Sequence, residues 1–118
     1  MNNKEDVVFI KHILESINAI DEFSKNMDKE ELISNRMKQS AIVREIEIIG
    51  EAIKNISDNL KEKYSSIPWK EIVGTRDKMI HHYFGVDLNI VWNIIKKDLP
   101  DLKEKIQKIK KDLEKNKN

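Results

Sequence analysis

Apolar residues recur along this chain at helical spacing, and the longest stripe is Ile42, Ile46, Ile49, Ile53, Ile56 and Leu60. Steps of four and three place all six on one face of a single helix, which buries against neighbours in bundle geometry. A first helix is predicted over about 4–26, where Ile10, Ile13, Leu14, Ile17 and Ile20 share a face. KNMDKEE reads as a turn leading into the second helix. Gly50 inside that helix implies a close-packed neighbour, since mid-helix glycine otherwise costs about 1 kcal/mol against alanine. SSIPWKE starts a third helix: a serine caps, Pro68 fits the first turn, and Glu71 suits the positive end. Gly74 loosens or interrupts this helix and Gly85 closes it. Asp87 caps a fourth, with Leu88, Val91, Trp92, Ile95 and Leu99 on one face. Pro100 forces a break or kink, so LPDLKEKIQKIKKDL forms a fifth, striped by Leu102, Ile106, Ile109 and Leu113. No segment alternates as a strand does. The pattern predicts an all-α antiparallel bundle of four to five helices.

Length and charge narrow the class. The 118 residues suit one domain, 1–118, with a core small enough that oligomerisation would help it. No apolar run approaches the roughly 18 residues that cross a bilayer, and MNNKEDVVFIKH lacks a signal-peptide layout. Cysteine is absent, which excludes disulfides and thiolate metal sites and fits a reducing, cytoplasmic setting. The net charge of +1 argues against a protein that coats nucleic acid through many phosphate contacts. The charge is uneven, however. Residues 1–30 carry four Lys against seven Asp and Glu, and residues 96–118 carry nine Lys against five. The basic end reads first as a solvated helix face and second as a phosphate binder.

Candidate chemistry is concentrated in RDKMIHHYFGVD, residues 76–87. On a continuous third helix, Trp69, Ile72, Val73, Arg76, Ile80 and Tyr83 form one stripe. Arg76 would then point toward protein. A guanidinium there needs a partner, for which Glu45, Glu47 and Glu51 of the second helix are candidates, or else a wet cleft. His81 lies about 140° around an ideal helix from Arg76, so the two meet where a cleft forms at the helix end. Taken alone, His81 and His82 read first as surface or capping histidines. The spacing fits no metal motif, and no Gly-rich phosphate loop or serine nucleophile elbow is present.

Arg76, His81 and Tyr83 together fit R-x4-H-x-Y, and the run resembles the motif of the HEPN superfamily, in particular its HepT toxin group. IPWKEIVGTRDKMIHHYFGVDLNIVW is similar to that group's most characteristic block, REIEIIGEAIKNIS to its second-helix block, and KKDLPDLKEKI to its C-terminal start. The resemblance implies a homodimeric HEPN-type bundle and a metal-independent endoribonuclease toxin of a type VII-like toxin–antitoxin pair. It implies that Arg76 and His81 are catalytic and that Arg76 lines a cleft. It further implies that a nucleotidyltransferase antitoxin transfers AMP onto Tyr83. No cofactor, metal, membrane or DNA partner is expected; RNA, the antitoxin and a second copy are. The alternative is a non-catalytic HEPN module that binds nucleotide or assists a nucleotidyltransferase.

Overall fold

The computed structural model describes residues 3–81 and 85–115, with the backbone alone for Asn3, Lys4, Arg76, Ile80 and His81. The helices are α1 (Asn3–Phe23), α2 (Lys29–Ser34), α3 (Arg36–Lys54), α4 (Asp58–Lys63), α5 (Trp69–Met79), α6 (Leu88–Asn93) and α7 (Leu99–Lys115). A π turn, Ile94–Asp98, joins the last two. Two-residue strands, β1 (Ile80–His81) and β2 (Gly85–Val86), pair antiparallel between α5 and α6. The fold is all-α, as the periodicity predicts, apart from that small ladder.

The stripes define the core. Helix α1 packs on α3 and α7, and α3 packs on α5. Ile10, Ile13, Ile17 and Ile20 of α1, Ile42 and Ile53 of α3, and Ile106 and Ile109 of α7 are fully buried. Each such side chain gains about 1.5–3 kcal/mol from leaving water, so this layer carries most of the driving force for folding. Lysines of α7 occupy its other faces, and Lys103 reaches Asp21 at 2.9 Å.

Three boundaries differ from the periodic reading. The stripe through Leu60 does not lie on one helix. Helix α3 stops at Lys54, where the Asn55 amide donates to the Ala52 and Ile53 carbonyls. Ser57 then caps α4, its hydroxyl accepting from the Leu60 amide at 3.2 Å. Ile56 and Leu60 stay buried across the break, so burial continues in register while the backbone does not. The opening of the chain also subdivides. Asn26 takes a left-handed φ of 58°, which asparagine tolerates, and α2 intervenes before α3. Asn35 ends α2 and caps α3, accepting from the Lys38 amide at 3.0 Å.

At Pro100 the chain widens rather than breaks. The Leu99 amide bonds the Ile94 carbonyl, one residue further back than in an α-helix. A π turn of this kind relieves the clash between the proline ring and the preceding turn, and supplies the slack for its missing N–H. Gly50 is buried in α3, but a Cβ there would meet nothing within 4 Å, so no close-packed neighbour explains it. Gly74 lies inside an uninterrupted α5.

Two long-range polar contacts tie the short elements to the long ones. Asp6, 4% exposed in the first turn of α1, accepts from the Ser57 amide at 2.8 Å and from its hydroxyl at 2.7 Å. Tyr64, which ends α4, donates its hydroxyl to Asp112 Oδ2 of α7 at 2.6 Å. The Tyr64 ring is half-buried. Burial first, then the Asp112 hydrogen bond and charge, push its pKa up to about 12, so it remains a donor throughout the neutral range.

Asp6→Ala should lower the unfolding free energy by about 2–3 kcal/mol, because it leaves the Ser57 amide without its acceptor. Urea denaturation at one protein concentration measures this, with Asp6→Asn falling between. A loss of less than about 0.5 kcal/mol would mean that the clamp is replaced by water at little cost.

Candidate active site

Helix α5 is anchored at its start. Trp69 is buried, and its indole N–H donates to the carbonyls of Lys61 and Tyr64, both at 3.2 Å. The Ile72 amide bonds the Pro68 carbonyl at 3.0 Å, so the proline opens the first turn as its lack of an N–H allows. Ile72 and Val73 pack against the core, and Met79, completely buried, holds the far end. The register of α5 is fixed by these contacts before any polar residue is considered.

The helix ends at Met79, six residues before the expected stop at Gly85. Ile80 pairs with Val86 and His81 with Gly85. Below the ladder the Asp87 amide donates to the Met79 carbonyl at 2.7 Å. The Asp87 carboxylate turns the other way and caps α6, accepting from the Asn89 and Ile90 amides at 3.0 and 3.3 Å. The chain thus leaves one helix, reverses through a hairpin and enters the next within eight residues. Gly85 has φ +83°, a left-handed conformation that other residues adopt at a cost.

The predicted site residues are distributed over this turn. Arg76 is in the last turn of α5, and His81 is in β1. Tyr83 and the Arg76 side chain lie outside what the structure describes, and with them the choice among Glu45, Glu47 and Glu51. The angle of 140° between positions 76 and 81 does not apply, since no common helix carries both. The signal for the hairpin is present in the sequence. IHHYF is rich in residues that favour extended backbone, and a glycine closing a three-residue loop is a common hairpin arrangement. The helical stripe through Ile80 and Tyr83 masked it, while Met79, which is buried, was missed.

Charge distinguishes the clefts near this turn. A cavity of about 190 Å³ between α3, α5 and α7 has an apolar floor that includes Ile46, Ile49 and Leu102 and a rim with Glu71 and Asp98. Apolar walls under carboxylates are a poor setting for a phosphate. Among the described residues no group of three or more His, Asp or Glu is placed to hold a metal ion.

Comparison with known proteins gives this arrangement a context. The family model described as "Ribonuclease HepT-like" matches residues 13–109, which include α3, α5 and the hairpin. The chain belongs to the HepT-like ribonuclease family. It is 42% identical over 103 residues to "Probable ribonuclease HepT" of Thermococcus cleftensis, covering 87% of this chain and 94% of that protein. Two proteins of Methanocaldococcus jannaschii are also similar. "Putative RNase MJ1216" is 47% identical over 94% of this chain and 93% of its own length. "Gamma-glutamylcyclotransferase and putative RNase MJ0434" is 49% identical over 98% of this chain, which spans 52% of that longer protein. No solved structure gives a significant match. No helix of this HepT-like chain is long and apolar enough to cross a membrane, among the described residues.

Gly85→Ala tests the hairpin. A Cβ there meets nothing within 4 Å, so the whole cost is conformational: about 1–2 kcal/mol of stability by chemical denaturation. Gly85→Asn should lose less. Equal stability of all three forms would mean that the left-handed turn does not constrain the site.

Proposed function

We propose that this chain is a metal-independent endoribonuclease, acting as a homodimer and serving as the toxin of a type VII-like toxin–antitoxin pair. One observation carries the reading. An R-x4-H-x-Y run sits at the junction of α5 and the hairpin, inside the stretch that matches a ribonuclease family model. RNA cleavage without a metal needs a group that moves protons near neutral pH and a fixed positive charge on the phosphorane. A histidine of pKa about 6.5 supplies the first, and a guanidinium the second. In this mechanism a base takes the proton of the 2′-hydroxyl, whose oxygen attacks phosphorus. The bond to the 5′-oxygen breaks and an acid protonates that leaving group. The requirement for a 2′-hydroxyl excludes DNA as a substrate.

One His81 per chain is short of the two proton-transfer groups. A second copy related by a twofold axis provides the other, so dimerisation completes the chemistry as well as adding buried surface. Arg76, in the last turn of α5, stabilises the charge that develops on the equatorial oxygens. A hairpin carrying His81 beside a helix carrying Arg76 lets the two approach one phosphate from separate elements, which a single helix at 140° would hinder.

The spacing of the motif also offers a means of regulation. AMP carried by Tyr83, two residues from His81, would put bulk and negative charge where RNA phosphate must sit. Magnesium would serve the transferase, not this chain. Tyr64 is the poorer acceptor, since its hydroxyl is already bonded to Asp112 and burial and that bond push its pKa up to about 12.

Arg76→Ala and His81→Ala should each reduce RNA cleavage by at least about 100-fold while preserving helix content and dimer mass. Cleavage by the unaltered protein should survive EDTA. Unfolding of Arg76→Ala would return that residue to a structural ion pair, and activity lost in EDTA but restored by a divalent ion would overturn the metal-free reading.

Incubation with the cognate nucleotidyltransferase, ATP and Mg²⁺ should add AMP to the Tyr83 peptide and silence the nuclease, as read by peptide mass spectrometry. Tyr83→Phe should stay active. AMP found on the Tyr64 peptide alone would show that control operates elsewhere.

A further inference from the structure

The two tryptophans of this chain have opposite surroundings. Trp69 is buried and both faces of its role are accounted for: the ring fills the core and the N–H is bonded twice. Trp92 is half-buried on α6. Its ring packs in part against the core, and part of it remains accessible. The ammonium of Lys96, one turn later, lies 4.8 Å from the ring centroid. Lys97, Asn89 and Asn93 around it are exposed. A large aromatic left half-buried beside exposed polar and cationic side chains is the kind of residue found where a second molecule docks.

Its position relates it to the hairpin. The Asp87 amide is tied to the Met79 carbonyl at 2.7 Å, and Trp92 is five residues further on, an axial rise of about 7.5 Å along a helix. Helix α6 also packs directly on α5, which carries Arg76. Two concave surfaces are less suited to a polyanion, while a groove between α1 and α7 has Lys11, Lys108, Lys110 and Lys111 among three glutamates but offers no aromatic ring. The cavity beside α5 is rimmed by Glu71 and Asp98, and the groove containing His12 and Arg44 also contains Glu47 and Glu51. Lys96 and Lys97 follow Trp92 closely in the chain and are exposed, with Asp98 next to them.

We infer that Trp92 is a stacking platform for an unpaired base of the RNA, with Lys96 and Lys97 contacting the flanking phosphates. The inference rests on the ribonuclease reading and assigns to it a binding subsite on α6. Single-stranded RNA is held through base–aromatic stacking combined with backbone charge, and stacking of this kind tolerates any base. The ammonium–ring contact is no obstacle. At an exposed site it is about two to three times weaker than base stacking, so a base displaces Lys96 from the ring and frees its charge for phosphate. Such a subsite would select RNA with unpaired nucleotides over duplex, whose bases cannot reach the ring.

The test uses the full-length protein and a fluorescein-labelled single-stranded 12-mer of 2′-O-methyl RNA, which binds but cannot be cut through its own 2′-hydroxyl. Trp92→Ala should weaken binding by about 10-fold or more, and Trp92→Phe by less than about threefold. Lys96→Ala should lower the slope of log affinity against log salt by about 0.7. With 5-fluorotryptophan incorporated, the Trp92 fluorine resonance should shift on titration while that of Trp69 stays fixed, a readout that needs no variant to fold. In cleavage of ordinary RNA, Trp92→Ala should raise KM and leave kcat within about twofold. Unchanged affinity in folded Trp92→Ala, or a Trp92 resonance that does not move at saturation, would overturn the subsite. A change of oligomeric mass in Trp92→Ala with RNA affinity intact would make the ring a subunit contact and overturn it equally. If the unaltered protein neither binds nor cuts RNA, the ribonuclease reading falls with it. If it cuts RNA and Trp92→Ala cuts with the same KM, the subsite falls alone.

Discussion

The hydrogen bond from the Asp87 amide to the Met79 carbonyl, 2.7 Å long, is the constraint on which the candidate site depends. It ends α5, closes the base of the hairpin and sets where α6 begins. Met79 is fully buried, so the carbonyl end of the bond is fixed by the core. Asp87 caps α6 through its side chain, so the amide end is fixed by the next helix. Between these two anchors the backbone of His81 is paired with Gly85 in the ladder. A helix running on to Gly85 would have put positions 76 and 81 on different faces. The early stop converts a helical motif into two separately supported positions.

Much of the fold was legible in the sequence because burial and periodicity are nearly the same information in a bundle. The stripes of α1, α3 and α7 predict which isoleucines and leucines are buried, and those residues are buried. What the stripes could not give is backbone continuity. Ile56 and Leu60 keep the phase of α3 across a break made by Asn55, Ser57 and the distant Asp6. Periodicity also could not distinguish a kink from a π turn at Pro100, since both keep Ile95 and Leu99 inward. The Tyr64–Asp112 hydrogen bond has no periodic signature, because its partners are 48 residues apart.

The site was legible as residue types and less so as geometry. Arg76, His81 and Tyr83 stand out by their chemistry and spacing, and all three lie within the stretch that matches the family. The hairpin was hidden because Ile80 and Tyr83 satisfy a helical stripe as well as an extended run. Here local preference for β backbone, the left-handed Gly85 and the Asp87 cap outweighed the helical pattern.

The central claim of this account is that RNA itself supplies the nucleophile, with protein side chains moving the protons. The ends of the products report on that directly. Cleavage of a defined RNA in EDTA, followed by mass spectrometry of the fragments, should give 5′-hydroxyl ends and 2′,3′-cyclic phosphates. Fragments with 5′-phosphate and 3′-hydroxyl ends would mean that water is the nucleophile, and would contradict the account.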